Sequence, residues 1–159
     1  QSETVVDAPI NLADYAKANN LNLDLVKLIS EISENDAKYR FDKDVDWSKQ
    51  TPLDLKNQQL IEELFKKHKT YLGTKSVGKE FENVMWSVIQ HSNLQMMEKY
   101  LPIVHQAVKE NELASTPLKM LLDRIYSLKF NYQIFGSQQN VKLADETTQN
   151  NVKKQYGLD

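Results

Sequence analysis

The sequence predicts a mainly α-helical fold, an irregular helical bundle of roughly five to six helices with a short extended segment near the C-terminus. Three observations carry that expectation. Four Gly and four Pro are spread over 159 residues, too few for the tight turns that a sheet-rich chain needs. Apolar residues recur at helical spacing along most of the chain, as in helices that bury one stripe. The chain is 40% hydrophobic and 26% charged, a balance that lets a single domain of this length bury a core.

The elements follow in order. Residues 1–20 read as a polar N-terminal extension in which Leu12, Tyr15 and Ala16 form a short docking helix, and residues 21–159 as one helical domain. Asn20 or Asn22 caps the next segment, where Leu25, Leu28, Ile29, Ile32 and Tyr39 form a stripe running to about Phe41. Asp42 to Thr51 reads as a charged loop carrying Trp47. Pro52 marks the approach to a helix capped by Asp54, with Leu60, Ile61, Leu64 and Phe65 inward and Gly73 as its stop. A helix from about Gly78 is apolar on more than one side, with Phe81, Val84, Met85, Val88 and Ile89 on one face and Trp86 and Gln90 on another. Such a helix belongs at the centre of its domain. Ser92 and Asn93 cap the next helix, whose inward residues are Leu94, Met97, Leu101, Val104 and Val108, and Pro102 is expected to kink or break it. Ser115-Thr116-Pro117 signals a further start, with Leu118, Leu121, Leu122, Ile125 and Leu128 buried. Beyond Phe130, Tyr132-Gln133-Ile134-Phe135 alternates polar and apolar before Gly136, which favours extended chain. Asp145 caps a last short helix that ends at Gly157.

Composition narrows the function classes. The net charge is −2 and the isoelectric point about 6.0, and no concentrated basic stripe is present to grip nucleic-acid phosphates. The most basic run, Lys66 to Lys69, spreads its charges around a helix and reads as a solvated face. With no Cys, disulfides, thiolate metal sites and cysteine nucleophiles are excluded. His68, His91 and His105 are not paired at ligand spacing, so no metal site or other cofactor is expected. No apolar run suits a membrane span. The start at Gln1-Ser2-Glu3-Thr4 resembles what signal peptidase leaves, giving an expectation of export to the periplasm or beyond, with a cytoplasmic location left open.

Polar residues gather where a simple bundle does not call for them. Asp36 and Arg40 stand four apart, Val77-Gly78 precedes the central helix, and Gln90-His91-Ser92-Asn93 closes it. Leu101-Pro102, Asp123-Arg124 and Gln133-x-Phe135-Gly136-Ser137-Gln138 follow. In this order the motifs resemble those of an uncharacterised bacterial family, a domain of unknown function, from about Leu25 to a closing Gln155–Leu158 region. Asn93 stands where that family has an acid and Phe135 where it has Tyr, so a charged role at one and a phenol role at the other do not carry over. The resemblance implies export in many members and supplies no reaction.

Three uses of these residues compete. As an interaction domain, the chain recognises a small polar ligand or a protein through Gln90, His91, Asp123, Arg124, Gln133, Gly136, Ser137 and Gln138, with Trp47 as an anchor or folded back onto the bundle. As a hydrolase, His91 acts as general base with Asp123 fixing its tautomer, Arg124 holding an anion and the Gln133–Gln138 segment donating to an oxyanion. Ser92 and Ser137 are then nucleophile candidates only by proximity. An immunity or inhibitor role against a secreted toxin fits the size and expected compartment. Alternatively, the same groups form a structural network joining Asp36, Arg40, Asp123 and Arg124 across helices.

Overall fold

The computed structural model describes residues 9–159, and residues 1–8 of the polar extension lie outside it. Eight helices account for most of the described chain: α1 (Leu12–Ala18), α2 (Leu23–Ala37), α3 (Trp47–His68), α4 (Thr74–Val77), α5 (Val84–Gln90), α6 (Leu94–Lys109), α7 (Ser115–Phe130) and α8 (Glu146–Tyr156). The helical class stands, and the helix count is higher than the sequence suggested. Ala16 of α1 belongs to the same buried core as the rest.

The helix with no counterpart in the sequence reading is α4, whose single turn leaves little periodic signal. Gly73 does not stop α3. Lys69 does so in the left-handed conformation, its amide donating to Phe65 O. Gly73 instead lets the backbone before α4 approach Glu112 so closely that a Cβ would lie 2.1 Å from its carbonyl oxygen. The helix expected from Gly78 begins only at Val84. Gly78 sits at φ +78°, and a Cβ there would collide with the Tyr15 hydroxyl, which donates to Val77 O at 2.9 Å. Asn83 caps α5 without a side-chain bond. Tyr71 Oη supplies the acceptor for Trp86 N at 3.1 Å and itself donates to Glu82 O.

Other boundaries moved for identifiable reasons. α2 ends at Ala37, short of Phe41, because side chains take its last carbonyls: Gln50 Nε2 bonds Asn35 O and Asp36 O, and Arg40 Nε bonds Asp36 O. α3 begins seven residues before the expected cap Asp54, at Trp47, where Asp46 accepts from Ser48 N. Pro52 lies inside α3. α6 runs unbroken through Pro102, which faces solvent, as does Glu98, the residue whose carbonyl loses its helical donor. Ser115 is the first residue of α7 and not its cap. Ala114 caps without a side chain, and Pro117 falls where an amide has no helical partner. Leu128 is exposed and not part of the α7 stripe. Asn22, Asn93 and Asp145 cap α2, α6 and α8, and Gly157 closes α8 at φ +64°.

The seven-residue α5 lies at the centre, packed against α2, α3, α6 and α7. Met85 and Ile89 are fully buried among Ile29 and Ile32 of α2, Ile61 of α3, Met97 of α6 and Leu118 and Leu122 of α7. Each such side chain contributes roughly 1.5–3 kcal/mol on leaving water. Between α7 and α8 the chain is irregular, with a single isolated parallel bridge between Gln133 and Leu143 among the described residues. No described helix is long and apolar enough to cross a membrane.

Candidate functional site

The polar motifs separate into two networks, and they do not meet in the way the sequence suggested. The first is built around Asp123, on the face of α7 turned away from the helical core. The side chain is fully buried beneath the irregular segment that follows α7. Oδ1 accepts from Ile134 N at 2.8 Å and Phe135 N at 2.7 Å, and Oδ2 accepts from Ser137 N at 2.9 Å and Ser137 Oγ at 2.6 Å. A carboxylate surrounded by backbone amides holds a loop in one shape. Gln133 completes the loop. Its Nε2 donates to Gln138 O and Val141 O, its Oε1 accepts from Gln138 N, and its backbone bonds Lys142 and Ala144. Gly136 supplies the φ of +90° that the turn requires.

Four expected site residues are thereby accounted for structurally: Asp123, Gln133, Gly136 and Ser137. Gln138 joins through its backbone alone. Asp123 does not orient His91, since its oxygens are committed to Ile134–Ser137.

The second network is centred on Asp36 near the end of α2. His91, the C-cap of α5, meets Asp36 Oδ1 through Nδ1 at 2.9 Å, and Ser87 Oγ donates to Asp36 Oδ2 at 2.5 Å. Arg40 lies 3.5 Å from Asp36 Oδ1 and 2.6 Å from Asp54 Oδ1. Burial pushes the Asp36 carboxyl up, but the bonds from His91 and Ser87, and then the charges of His91 and Arg40, outweigh it and hold the carboxyl below the ordinary aspartate range. An ionised Asp36 can only accept, so His91 Nδ1 carries the proton. In the neutral ring, Nε2 is then the basic nitrogen. The His91 side chain is 24% exposed.

Gln50 and Asn57 of α3 brace this network, and hydrophobic periodicity gave no sign of either. Gln50 is fully buried, donates to Asp54 Oδ1 as well as to the α2 carbonyls, and accepts from Tyr39 N. Asn57 Nδ2 donates to Ile32 O. Their spacing with Asp54 on one α3 face is the signal that was available. Trp47 is 53% exposed, with its ring 5.7 Å from the Arg40 guanidinium, so it covers Arg40 while keeping an open face. Phe41, next to Arg40 in sequence, is also exposed.

The hydroxyls of Ser87, Ser92 and Ser137 are occupied by other partners. Ser87 donates to Asp36, Ser92 to Ile89 O and Ser137 to Asp123. None donates to His91, so the Asp36–His91 pair has the orientation of a general base without an aligned hydroxyl nucleophile. Among the described residues no cluster of metal-ligating side chains occurs.

Four buried side-chain atoms among the described residues have no hydrogen-bond partner: Asn57 Oδ1 on α3, and three on α5 and α7. Gln90 is buried and donates through Nε2 to Met120 O at 3.1 Å, yet its Oε1 has no partner. Trp86 Nε1, one turn earlier on α5, and Arg124 Nε, one turn beyond Met120 on α7, are buried and without partners too. Arg124 forms no ion pair with any described residue. Comparison with family models, curated proteins and solved structures finds no significant match to this chain.

Proposed function

We propose that this chain is a binding domain whose recognition surface is the α5–α7 shoulder formed by Trp86, Gln90, His91 and Arg124, and that it takes a small anionic ligand such as a carboxylate. One observation carries the reading. Asp123 and Gln133, which serve structure, have their bonding capacity filled by the protein, whereas Trp86, Gln90 and Arg124 each retain an unused buried polar atom; a fourth such atom, Asn57 Oδ1, belongs to α3. Buried polar atoms in folded proteins are nearly always paired, so three on two facing helices call for a bonding partner. Two are donors, and one belongs to a guanidinium without a counter-charge, which selects for an anion. Gln90 Oε1 adds an acceptor for a hydroxyl or amide on the same ligand. Compared with the recognition surface expected from sequence, this one drops Asp123 and the Gln133–Gln138 segment and adds Trp86. Membership of the uncharacterised family that the ordered motifs resemble belongs to the same proposal.

The test is thermal denaturation of wild type and two variants with acetate, lactate or phosphate against chloride at equal ionic strength. The expected result is a ligand-dependent rise in Tm for wild type and Gln138→Ala that disappears in Arg124→Gln. Ligand binding to the native state alone produces such a rise. Equal shifts in all three proteins, or none in any, would sink the reading.

The Asp36–His91 pair favours a second reading, a hydrolase that uses His91 Nε2 as general base toward water. It requires a rate that falls as His91 is protonated and that is abolished in His91→Gln. A flat pH profile across the histidine range would remove it.

A further inference from the structure

A groove of about 360 Å³ runs between α6, α7 and α8, sharing no residue with the shoulder described above. Leu101, Ile125, Tyr126, Phe130, His105 and Tyr156 form its walls. We infer that this groove binds a small, uncharged aromatic molecule, held between the Tyr126–Phe130 wall and the His105–Tyr156 wall.

Size, surface and charge support the choice of ligand. The volume lies at the low end of the range for small-molecule pockets, roughly 300–1,000 Å³. Both walls are aromatic, and Phe130 is also stacked on Tyr132 with Lys129 Nζ 5.5 Å from its ring centroid. Tyr126 and Phe130 have centroids 5.6 Å apart, and His105 meets Tyr156 edge to face at 4.9 Å. Offset and edge-to-face packing of a further ring on such surfaces adds stabilisation beyond its area. The Tyr126 and Tyr156 hydroxyls make no hydrogen bond to another described residue. Burial, then the nearby phenols, raises both above the ordinary tyrosine range, so each remains a neutral donor. Burial, and then the charge of Lys109, lowers the His105 pKa, against a smaller opposing effect of a backbone hydrogen bond at Tyr156, so the ring stays neutral near pH 7. The charges on the rim cancel, because Lys129 Nζ pairs with Glu98 Oε2 at 3.6 Å. An ionic ligand would lose water here without gaining a counter-charge, and a neutral ring with one acceptor suits the groove.

The experiment is chemical-shift mapping of the full-length protein with benzamide, with benzoate as the charged analogue and cyclohexanecarboxamide as the non-aromatic one. Benzamide is expected to give saturable shifts confined to α6, α7 and α8 residues of the groove, with Kd on the order of 1 mM or tighter. The two analogues should bind at least about tenfold more weakly, a difference of ~1.4 kcal/mol. Phe130 is half exposed, so Phe130→Ala leaves the core intact and is expected to weaken benzamide by a similar factor. Tyr126→Phe should weaken it less. Three outcomes overturn the inference: no saturable shift with benzamide, benzoate binding as tightly as benzamide, or indifference to Phe130→Ala. Groove shifts that follow protein concentration instead of benzamide would also overturn it, by placing a second copy of the chain there.

Discussion

Two aspartates show how burial and partners decide what a residue does. Asp123 replaces water with three backbone amides and a hydroxyl, so truncation strands donors that the segment cannot easily rehydrate. Asp123→Ala is expected to cost about 3–5 kcal/mol in urea unfolding, and to loosen hydrogen-exchange protection at Ile134, Phe135 and Ser137 before the rest of the fold. A loss under about 1 kcal/mol would contradict the bracing role. Asp36 makes a different prediction. Its folded pKa is depressed, so its contribution to stability is fully present above the unfolded value near pH 4 and is lost as pH falls through the lower folded value. Stability measured from pH 5 downward should therefore fall in wild type and fall less steeply in Asp36→Asn, which has no carboxylate to protonate. The identity of these residues was legible in the sequence as motifs, but their partners were not. The sequence places Asp123 beside Arg124 and offers His91 as its partner, but it cannot show which backbone covers the carboxylate. That backbone is Ile134–Ser137.

Among the elements, the sequence reading succeeded where apolar stripes were long and failed where polar groups did the packing. The stripes of α2, the second half of α3, and α6 were readable because Ile29, Ile32, Ile61, Met97 and Val104 repeat at helical spacing. The first two turns of α3 resemble a loop in sequence because their buried residue is Gln50, which bonds Asn35 O and Asp36 O at the end of α2 and carries no hydrophobic signal. Gln50→Ala should accordingly unravel the α2–α3 corner, with an expected loss of about 2–3 kcal/mol that a Gln50→Glu variant does not restore. Circular dichroism melts of both variants check this. The break between α4 and α5 rests on Gly78, whose positive φ and contact with Tyr15 leave no room for a side chain. Gly78→Ala is expected to cost about 1–3 kcal/mol. Adding Tyr15→Ala removes the collision but not the backbone strain, so the double variant should be less unstable than the sum of the singles. Strict additivity would mean that the Tyr15 contact is irrelevant.

At the scale of the whole molecule, a short central helix presents different faces to different tasks. α5 sends Met85 and Ile89 into the core, Ser87 and His91 to Asp36 on α2, and Gln90 to Met120 of α7. Its central position was legible from its apolar residues on several sides. The division of the polar motifs between bracing and recognition was not, because it depends on which atoms the fold leaves unpaired. That division is the central claim, and side-chain nitrogen resonances report on it directly. In ¹⁵N-labelled protein titrated with acetate, the Trp86 Nε1–H and Arg124 Nε–H signals are expected to move together and saturate, while the amides of Ile134, Phe135 and Ser137 around Asp123 stay fixed. Unmoved Trp86 and Arg124 signals, or shifts centred on the Asp123 loop, would contradict it.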